Sequence, residues 1–427
     1  MLHLPTMLLQ IGVILVAARL TGFLFRWIHQ PQVIGEMVAG ILLGPSLFGW
    51  IAPQLSEIVF PADSLGYLNA LSQIGLILFM FLVGLELNPK ELRGRGHLAM
   101  LTSHSSIIAP FILGIVLALF LYPRLSDDSV SFMHFSLFIG VAMSITAFPV
   151  LARILSERGL LNTKLGSVAI TTAAVDDITG WSILAVLVVL VRSSEAGTSL
   201  LLTFFYVGIY VLAMIFLVRP QLKRIEAWYI RKGMLTQNML AFVLLCVLIS
   251  AWISEWLGIH AFFGAFLVGA IMPKQEKFVH NLYEKLNDFS VVLLLPMFFA
   301  LTGLRASIGL LNGLEMWFYF ALILIVAVSG KIGGTALAAR YGGMSWRESG
   351  SLGILMNTRG LVELVLLNIG LDIGVISPVL FTMMVLMALV TTFMTAPLFE
   401  WVYYARALPK LYRTPKQEAE EPTGDIL

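Results

Sequence analysis

The chain has 427 residues, of which 59% are hydrophobic and only 12% charged, with a formal net charge of +2 and a mean hydropathy of +0.91. Soluble domains carry about 25% charged residues and about 45 to 50% apolar ones, so the composition excludes a water-soluble globule and points to an all-α polytopic membrane protein. The near balance of charge also excludes a nucleic-acid groove as the business of this chain.

A spanning helix needs about 20 apolar residues, and windows of that length recur thirteen times along the chain. The first, 6–26, follows MLHLPT without a basic n-region or small-residue cleavage site, and reads as a retained span that contains Arg19. The second, 32–50, carries Glu36, and the third, 66–87, ends with Glu86. The fourth, 98–122, is apolar with a few hydroxyls. The fifth, 131–154, holds AMSITAFPVLARIL, and the sixth, 165–191, holds TTAAVDDITGW. The seventh, 198–218, precedes an eighth at 235–256, whose single cysteine, Cys246, sits in an apolar run and reads as packing. Glu255 lies near the outer end of that span, and His260 opens the short ninth window, 259–273, again as packing. The tenth and eleventh cover 287–304 and 314–338, the latter with Lys331, and the twelfth and thirteenth cover 348–370 and 376–403. The domain reading is a membrane unit over 1–403 and a short charged tail over 404–427 ending QEAEEPTGDIL, with no inserted soluble domain and no nucleotide-binding domain.

Charge sorts the loops. Twenty-one of the 27 basic residues fall in one set of alternate loops and three, Arg124, Arg192 and Arg305, in the other. Cytoplasmic loops collect Lys and Arg, so the split predicts an odd number of crossings with the N-terminus outside and the tail in the cytoplasm. The remaining basic residues, Arg19, Lys331 and Arg359, then lie within spans, opposite the intramembrane acids Glu36, Glu86, Asp176, Asp177 and Glu363. A charge at mid-bilayer costs about 3 kcal/mol even on lenient scales, and survives in a protein interior or a wet cavity.

The strongest constellation is the adjacent pair Asp176 and Asp177 in the sixth span. Neighbouring helical side chains point about 100° apart, so one acid can line a cavity while the other meets another helix. In the fifth span, Pro149 after Phe148 removes a backbone donor, while Ser144 and Thr146 supply hydroxyls where carbonyls are freed to meet a cation. The centre of the twelfth span, Asn357, Thr358, Arg359 and Gly360, is interrupted in the corresponding way. Two interrupted helices seven spans apart fit two inverted six-helix repeats joined by the seventh span. Lys331, among Gly330, Gly333 and Gly334, is the natural partner for Asp176, since a buried lysine either pairs with an acid or sheds its proton. Arg359 and Glu363, four apart, are expected to pair on their own helix, with a gate or ion-path role as the alternative. Glu36 and Glu86, near the cytoplasmic ends of their spans, read as funnel, gate or interface charges rather than ligands.

Absences narrow the class. The sequence contains no GxxxxGK[ST] phosphate loop, no HExxH zinc helix, no GxGD protease context and no TVGYG filter. No paired histidine spacing suggests a bound metal cofactor, and no cofactor of any kind is expected. Secondary transport remains.

The stretches QVIGEMVAGILLGPSLFG, FMFLVGLEL, SITAFPVLARILSERGLL, TTAAVDDITGW, GAFLVGAIMP, LPMFFALTGLR and MNTRGLVELVLLNIG together resemble the monovalent cation:proton antiporter superfamily, in its sodium or potassium/proton exchanger branch. The resemblance implies thirteen helices in a dimerising scaffold and a core domain that holds two discontinuous crossing helices, a homodimer in a bacterial inner membrane, and transport rather than enzymatic chemistry. Carried onto this chain, it makes Asp177 the carboxylate that binds Na⁺ or K⁺ and proton, Asp176 the second acid of electrogenic members, Lys331 its partner, and Thr146 part of the first unwound segment. Potassium efflux members often have Gln before the binding Asp, where this chain has Asp176, which favours the electrogenic type. The expected activity is cation/proton antiport by competition for Asp177 with alternating access. A sodium-coupled organic-anion symporter of related fold and a passive cation channel or sensor are the alternatives.

Overall fold

The structure is a computed structural model that describes residues 4–28, 30–86, 96–160, 163–196 and 200–404. Every regular element among them is helical. The helices in chain order are α1 (Leu4–Trp27), α2 (Gln32–Leu43), α3 (Leu65–Glu86), α4 (Gly96–Leu125), α5 (Phe132–Ser144), α6 (Phe148–Glu157), α7 (Lys164–Ala196), α8 (Leu201–Lys232) and α9 (Gln237–Trp256). They continue with α10 (Ala261–Ile271), α11 (Glu276–Phe289), α12 (Leu295–Arg305), α13 (Gly313–Tyr341), α14 (Trp346–Met356), α15 (Leu361–Asp372) and α16 (Pro378–Tyr404). Short helical turns bridge α2 to α3.

Eleven helices among the described residues are long and apolar enough to cross a bilayer, and a twelfth crossing comes from α14 and α15, bent by 44° at a short break. The remaining window of the sequence reading is α10, whose 11 residues rise about 16 Å against a hydrocarbon core of about 30 Å. It is therefore half a span by itself. The sequence between windows nine and ten, read as a loop, is instead the amphipathic α11, which continues into α12 through the π-helical turn Ser290–Leu294. The tail from residue 405 lies outside the described residues.

Two groups of helices pack internally. One joins α1, α2, α3, α9, α10 and α12, and the other joins α4, α5, α6, α7, α13, α14, α15 and α16, with α8 running between α7 and the α9–α10 pair. The reason for the first group is legible at its glycines. A Cβ on Gly84 of α3 would overlap the Phe266 carbonyl of α10, and one on Gly269 would overlap the Phe81 carbonyl of α3. Gly40 of α2 and Gly303 of α12 are locked together in the same way. Lipid tails are as apolar as leucine, so close backbone approach at small residues, rather than hydrophobic burial, supplies much of the driving force between such helices.

A Gly84→Ala substitution should therefore overpack the α3–α10 crossing, at a cost of about 1 to 3 kcal/mol. Gly66, which starts the same helix and faces open space, should accept alanine freely. Thermal unfolding of the purified protein in detergent should show a lowered midpoint for the first variant and none for the second; equal midpoints would contradict this packing.

Candidate functional site

The fifth span is broken as its sequence requires. α5 ends at Ser144, the chain runs extended through Ile145 and Ala147, and α6 begins at Phe148 with Pro149 inside its first turn, where the missing N–H leaves no bond unmade. The second break falls between Met356 and Leu361, with Asn357 capping α14 and Gly360 opening α15. The two breaks touch. The Ala147 amide donates to the Thr358 carbonyl at 3.0 Å, and the Thr146 hydroxyl lies 3.1 Å from the Met356 carbonyl. Gly360 is required at this crossing, since a Cβ there would sit 2.9 Å from Val150 and 3.1 Å from the Cβ of Ala147.

Crossing two half-helices brings carbonyl ends into the protein interior, and the sequence compensates locally. The Arg359 guanidinium donates to the carbonyls of Ala142 at 2.6 Å and Met143 at 2.8 Å, the last turn of α5, and to Glu363 at 2.9 Å. The expected i,i+4 pair is thus present, and its arginine also neutralises the negative end of a helix on the other strand of the crossing. Arg359 and Glu363 are both fully enclosed.

Asp176 and Asp177 of α7 sit beside this crossing, each 2% exposed, yet they live in opposite environments. Asp176 is saturated. Ser103 donates to its Oδ1 at 2.5 Å, and Ser106 at 2.5 Å, Thr146 at 2.9 Å and Lys331 at 3.2 Å donate to its Oδ2. The Lys331 ammonium also donates to Thr146 at 2.6 Å and Ser106 at 3.2 Å, so all three of its protons have acceptors. Lys331 lies in a π-helical turn, Ser329–Gly333, that interrupts α13; single π turns of this kind concentrate at functional sites. Asp177 is the reverse case. Neither carboxylate oxygen has a hydrogen-bond partner of full geometry, and the polar group that faces it is the backbone N–H of Phe148, at the positive end of α6. The side chain of Asn357 is likewise buried without a partner at the second break.

The five charges at the crossing are Asp176, Asp177, Glu363, Lys331 and Arg359, with Lys331 paired to Asp176 at 3.2 Å and Arg359 to Glu363 at 2.9 Å. Three acids and two bases leave one negative charge. A single monovalent cation or a single proton on Asp177 brings the group to neutrality, and two positive charges overshoot it. Leaving a buried carboxylate uncompensated costs several kcal/mol.

A cavity of about 390 Å³ opens beside the crossing and reaches Ala147 and Pro149 at the first break and Leu361 at the second. Arg19, Glu36, Glu86 and Phe299 of the first helix group and Tyr283 of α11 line one side, and Pro149 and Arg153 of α6 and Leu361 of α15 line the other. Glu36 and Glu86 thus stand on its wall, Glu36 held by Gln32 at 3.0 Å. Behind Glu86, Lys274 donates to the carbonyls of Gly84, Leu85 and Gly269, which tie together the ends of α3 and α10. Burial presses its ammonium down to about 8 against the upward pull of Glu86.

Sequence reasoning placed most of these residues together, with one exception. The Ser144 hydroxyl donates to Gly140 in its own helix and to Ile107 of α4, so it braces α5 on α4 instead of meeting either aspartate. Hydroxyls in membrane helices readily back-bond four residues down, which is what happens here. The serines that do reach the acids, Ser103 and Ser106 in LTSHSSIIAP, were passed over. His260 stacks on Phe262 at 4.9 Å between centroids, as packing predicts, and its Nδ1 is 3.3 Å from Glu255.

Comparison with known proteins adds independent findings. The sodium/hydrogen exchanger transmembrane family matches residues 13–401. The chain is 47% identical over 401 residues to the Na⁺/H⁺ antiporter NhaS4 of Synechocystis sp., covering 94% of this chain and 98% of that one. It is 42% identical over 400 residues to cation/H⁺ antiporter 17 of Arabidopsis thaliana and 35% identical over 429 residues to K⁺/H⁺ antiporter 1 of Saccharomyces cerevisiae. The chain spans about half the length of these plant and yeast relatives, 48% and 49%. Among solved structures, the sodium proton antiporter MjNhaP1 of Methanocaldococcus jannaschii superimposes with a TM-score of 0.62 at 14% identity, over 93% of this chain and 96% of that one, a likeness of fold.

Removing one partner of the enclosed Arg359–Glu363 pair should cost about 3 to 5 kcal/mol, and more for Arg359→Ala, which also strips two helix-end carbonyls of their donor. In a cycle of Arg359→Ala, Glu363→Ala and the double variant, detergent stability should show coupling, the double variant losing less than the sum. Strict additivity would contradict the pairing.

Proposed function

The chain belongs to the sodium/hydrogen exchanger family and is an integral membrane cation/proton antiporter, a transporter and not an enzyme; on that premise we propose that Asp177 is the carrier for both ions. The observation that carries the proposal is the contrast at the helix crossing, where Asp176 accepts four donors and the equally buried Asp177 accepts none of full geometry. Alkali cations and protons seek the same oxygens, so each occupant lowers the affinity of the other by linkage. The core group, α4 to α7 with α13 to α16, passes between inward and outward positions when Asp177 is neutralised by either ion. A bare carboxylate meets the full desolvation penalty, which suppresses movement without cargo.

The cation is Na⁺ or K⁺: hard oxygen donors at Asp177, Thr146 and the carbonyls of the breaks suit both, and Ser144 is left to its bracing role. The cavity edged by Glu36 and Glu86 is the inner approach, and Arg359 with Glu363 holds the crossing rigid. Lys331 supplies electrogenicity. A cation arriving near Lys331 repels its ammonium, so a second proton leaves per cation and net charge moves. An organic-anion symporter is disfavoured because this site is already negative, and a channel because the breaks are packed against each other. The same reading takes the thirteen windows as two inverted six-helix repeats joined by the seventh. It makes the first helix group a scaffold for a homodimer in a bacterial inner membrane, with the N-terminus outside. The basic split of the loops and the cyanobacterial relative support that placement.

Sealed liposomes with an internal pH dye test the carrier. Imposed Na⁺ or K⁺ gradients should move protons through the wild type, and Asp177→Asn, which keeps shape and loses charge, should abolish the movement; undiminished exchange would reject Asp177. Lys331→Gln, where it remains folded, should make exchange insensitive to a clamped membrane voltage, and a reversal potential equal to wild type would remove Lys331 from the coupling.

A further inference from the structure

Asp176 and Asp177 are chain neighbours, and a cation that met both would see two negative charges. The structure keeps them apart through α4. Ser103 and Ser106 lie three residues apart, hence on one face of that helix, and both are fully buried. Ser103 takes Oδ1 of Asp176 and Ser106 takes Oδ2. α13 closes onto α4 at its glycines, since a Cβ on Gly330 would sit 2.9 Å from Pro110 and one on Gly334 2.6 Å from Ala109, and this approach brings Lys331 within reach of Ser106. Both oxygens of Asp176 are thereby committed to α4, Thr146 and α13.

We infer that Ser103 and Ser106 are positioning residues that set charge selectivity: by fixing the orientation of Asp176 they leave the transported ion a single carboxylate, and so confine the site to monovalent cations. Ca²⁺ and Mg²⁺ are held by several hard oxygens, commonly with two or more carboxylates among them, while one carboxylate with neutral oxygens suits an alkali ion. Adjacent helical residues project about 100° apart, so the rotamer of Asp176 decides whether the pair offers one charge or two. The serines set that rotamer. Lys331 alone contacts only one of the two oxygens, at 3.2 Å, and does not determine it. The inference rests on Asp177 being the carrier.

The test is inhibition of Na⁺- or K⁺-driven proton exchange by Ca²⁺ and by Mg²⁺ in liposomes containing the full chain. The Ser103→Ala/Ser106→Ala variant should be half-inhibited at a divalent concentration about tenfold or more below that of wild type. Ser103→Thr/Ser106→Thr, which restores the hydroxyls, should recover the wild-type tolerance. Ser105→Ala serves as a control, because Ser105 donates to the Gly334 carbonyl at 2.9 Å and not to the acid, and should match wild type. Where the double variant fails to fold, the single alanine variants decide by the same shift. Wild-type divalent tolerance in the alanine variants would overturn the inference while Asp177→Asn stays inactive, whereas exchange surviving in Asp177→Asn would overturn the carrier reading itself.

Discussion

The structure depends on the price of an unpaired charge in a medium that cannot solvate it. Five ionisable side chains meet where two broken helices cross, and their formal charges leave one negative charge in excess. Four of the five are locked in two ion pairs of 3.2 Å and 2.9 Å, so the excess resides on Asp177. An antiporter needs a site that is more stable occupied by either ion than empty, and the electrostatic sum supplies that difference from side chains alone, whether or not Lys331 gives up its proton.

The helix breaks follow from the same constraint. Unwound backbone at membrane depth has to satisfy its polar groups within the protein. Here the breaks meet through the Ala147 amide, which donates to the Thr358 carbonyl, and Arg359 reaches across to the carbonyl end of α5. The positive start of α6 is then free to face Asp177 through the Phe148 amide. The crossing belongs to the helix group of α4, α7 and α13, and the cavity lies between that group and the first, so the proposed movement of one group against the other would alter access without dismantling the site.

What was legible in the sequence is what membranes make conspicuous. Charges within apolar windows identified Asp176, Asp177, Lys331, Arg359 and Glu363, and proline, glycine and polar interruptions marked both breaks. Serine is cheap in a membrane helix and ordinarily bonds to its own backbone, so nothing in LTSHSS distinguished Ser103 and Ser106, which reach α7, from Ser144 on α5, which does not. Hydropathy windows also missed that residues 276–289 are helical, because a 3.6-residue period of mixed polarity scores as a loop on a scale tuned for spans. The π turn that places Lys331 packs against α4, and apolar windows do not register such a turn.

The central claim is mutual exclusion of cation and proton at one carboxylate, and isothermal titration of the purified protein with Na⁺ or K⁺ across a pH series measures it most directly. The account predicts proton release on cation binding, read from heats in buffers of different ionisation enthalpy, and an apparent affinity that weakens on the acid side by about tenfold per pH unit for each proton released. Saturable cation binding with the same affinity at every pH, and with no proton released, would contradict it.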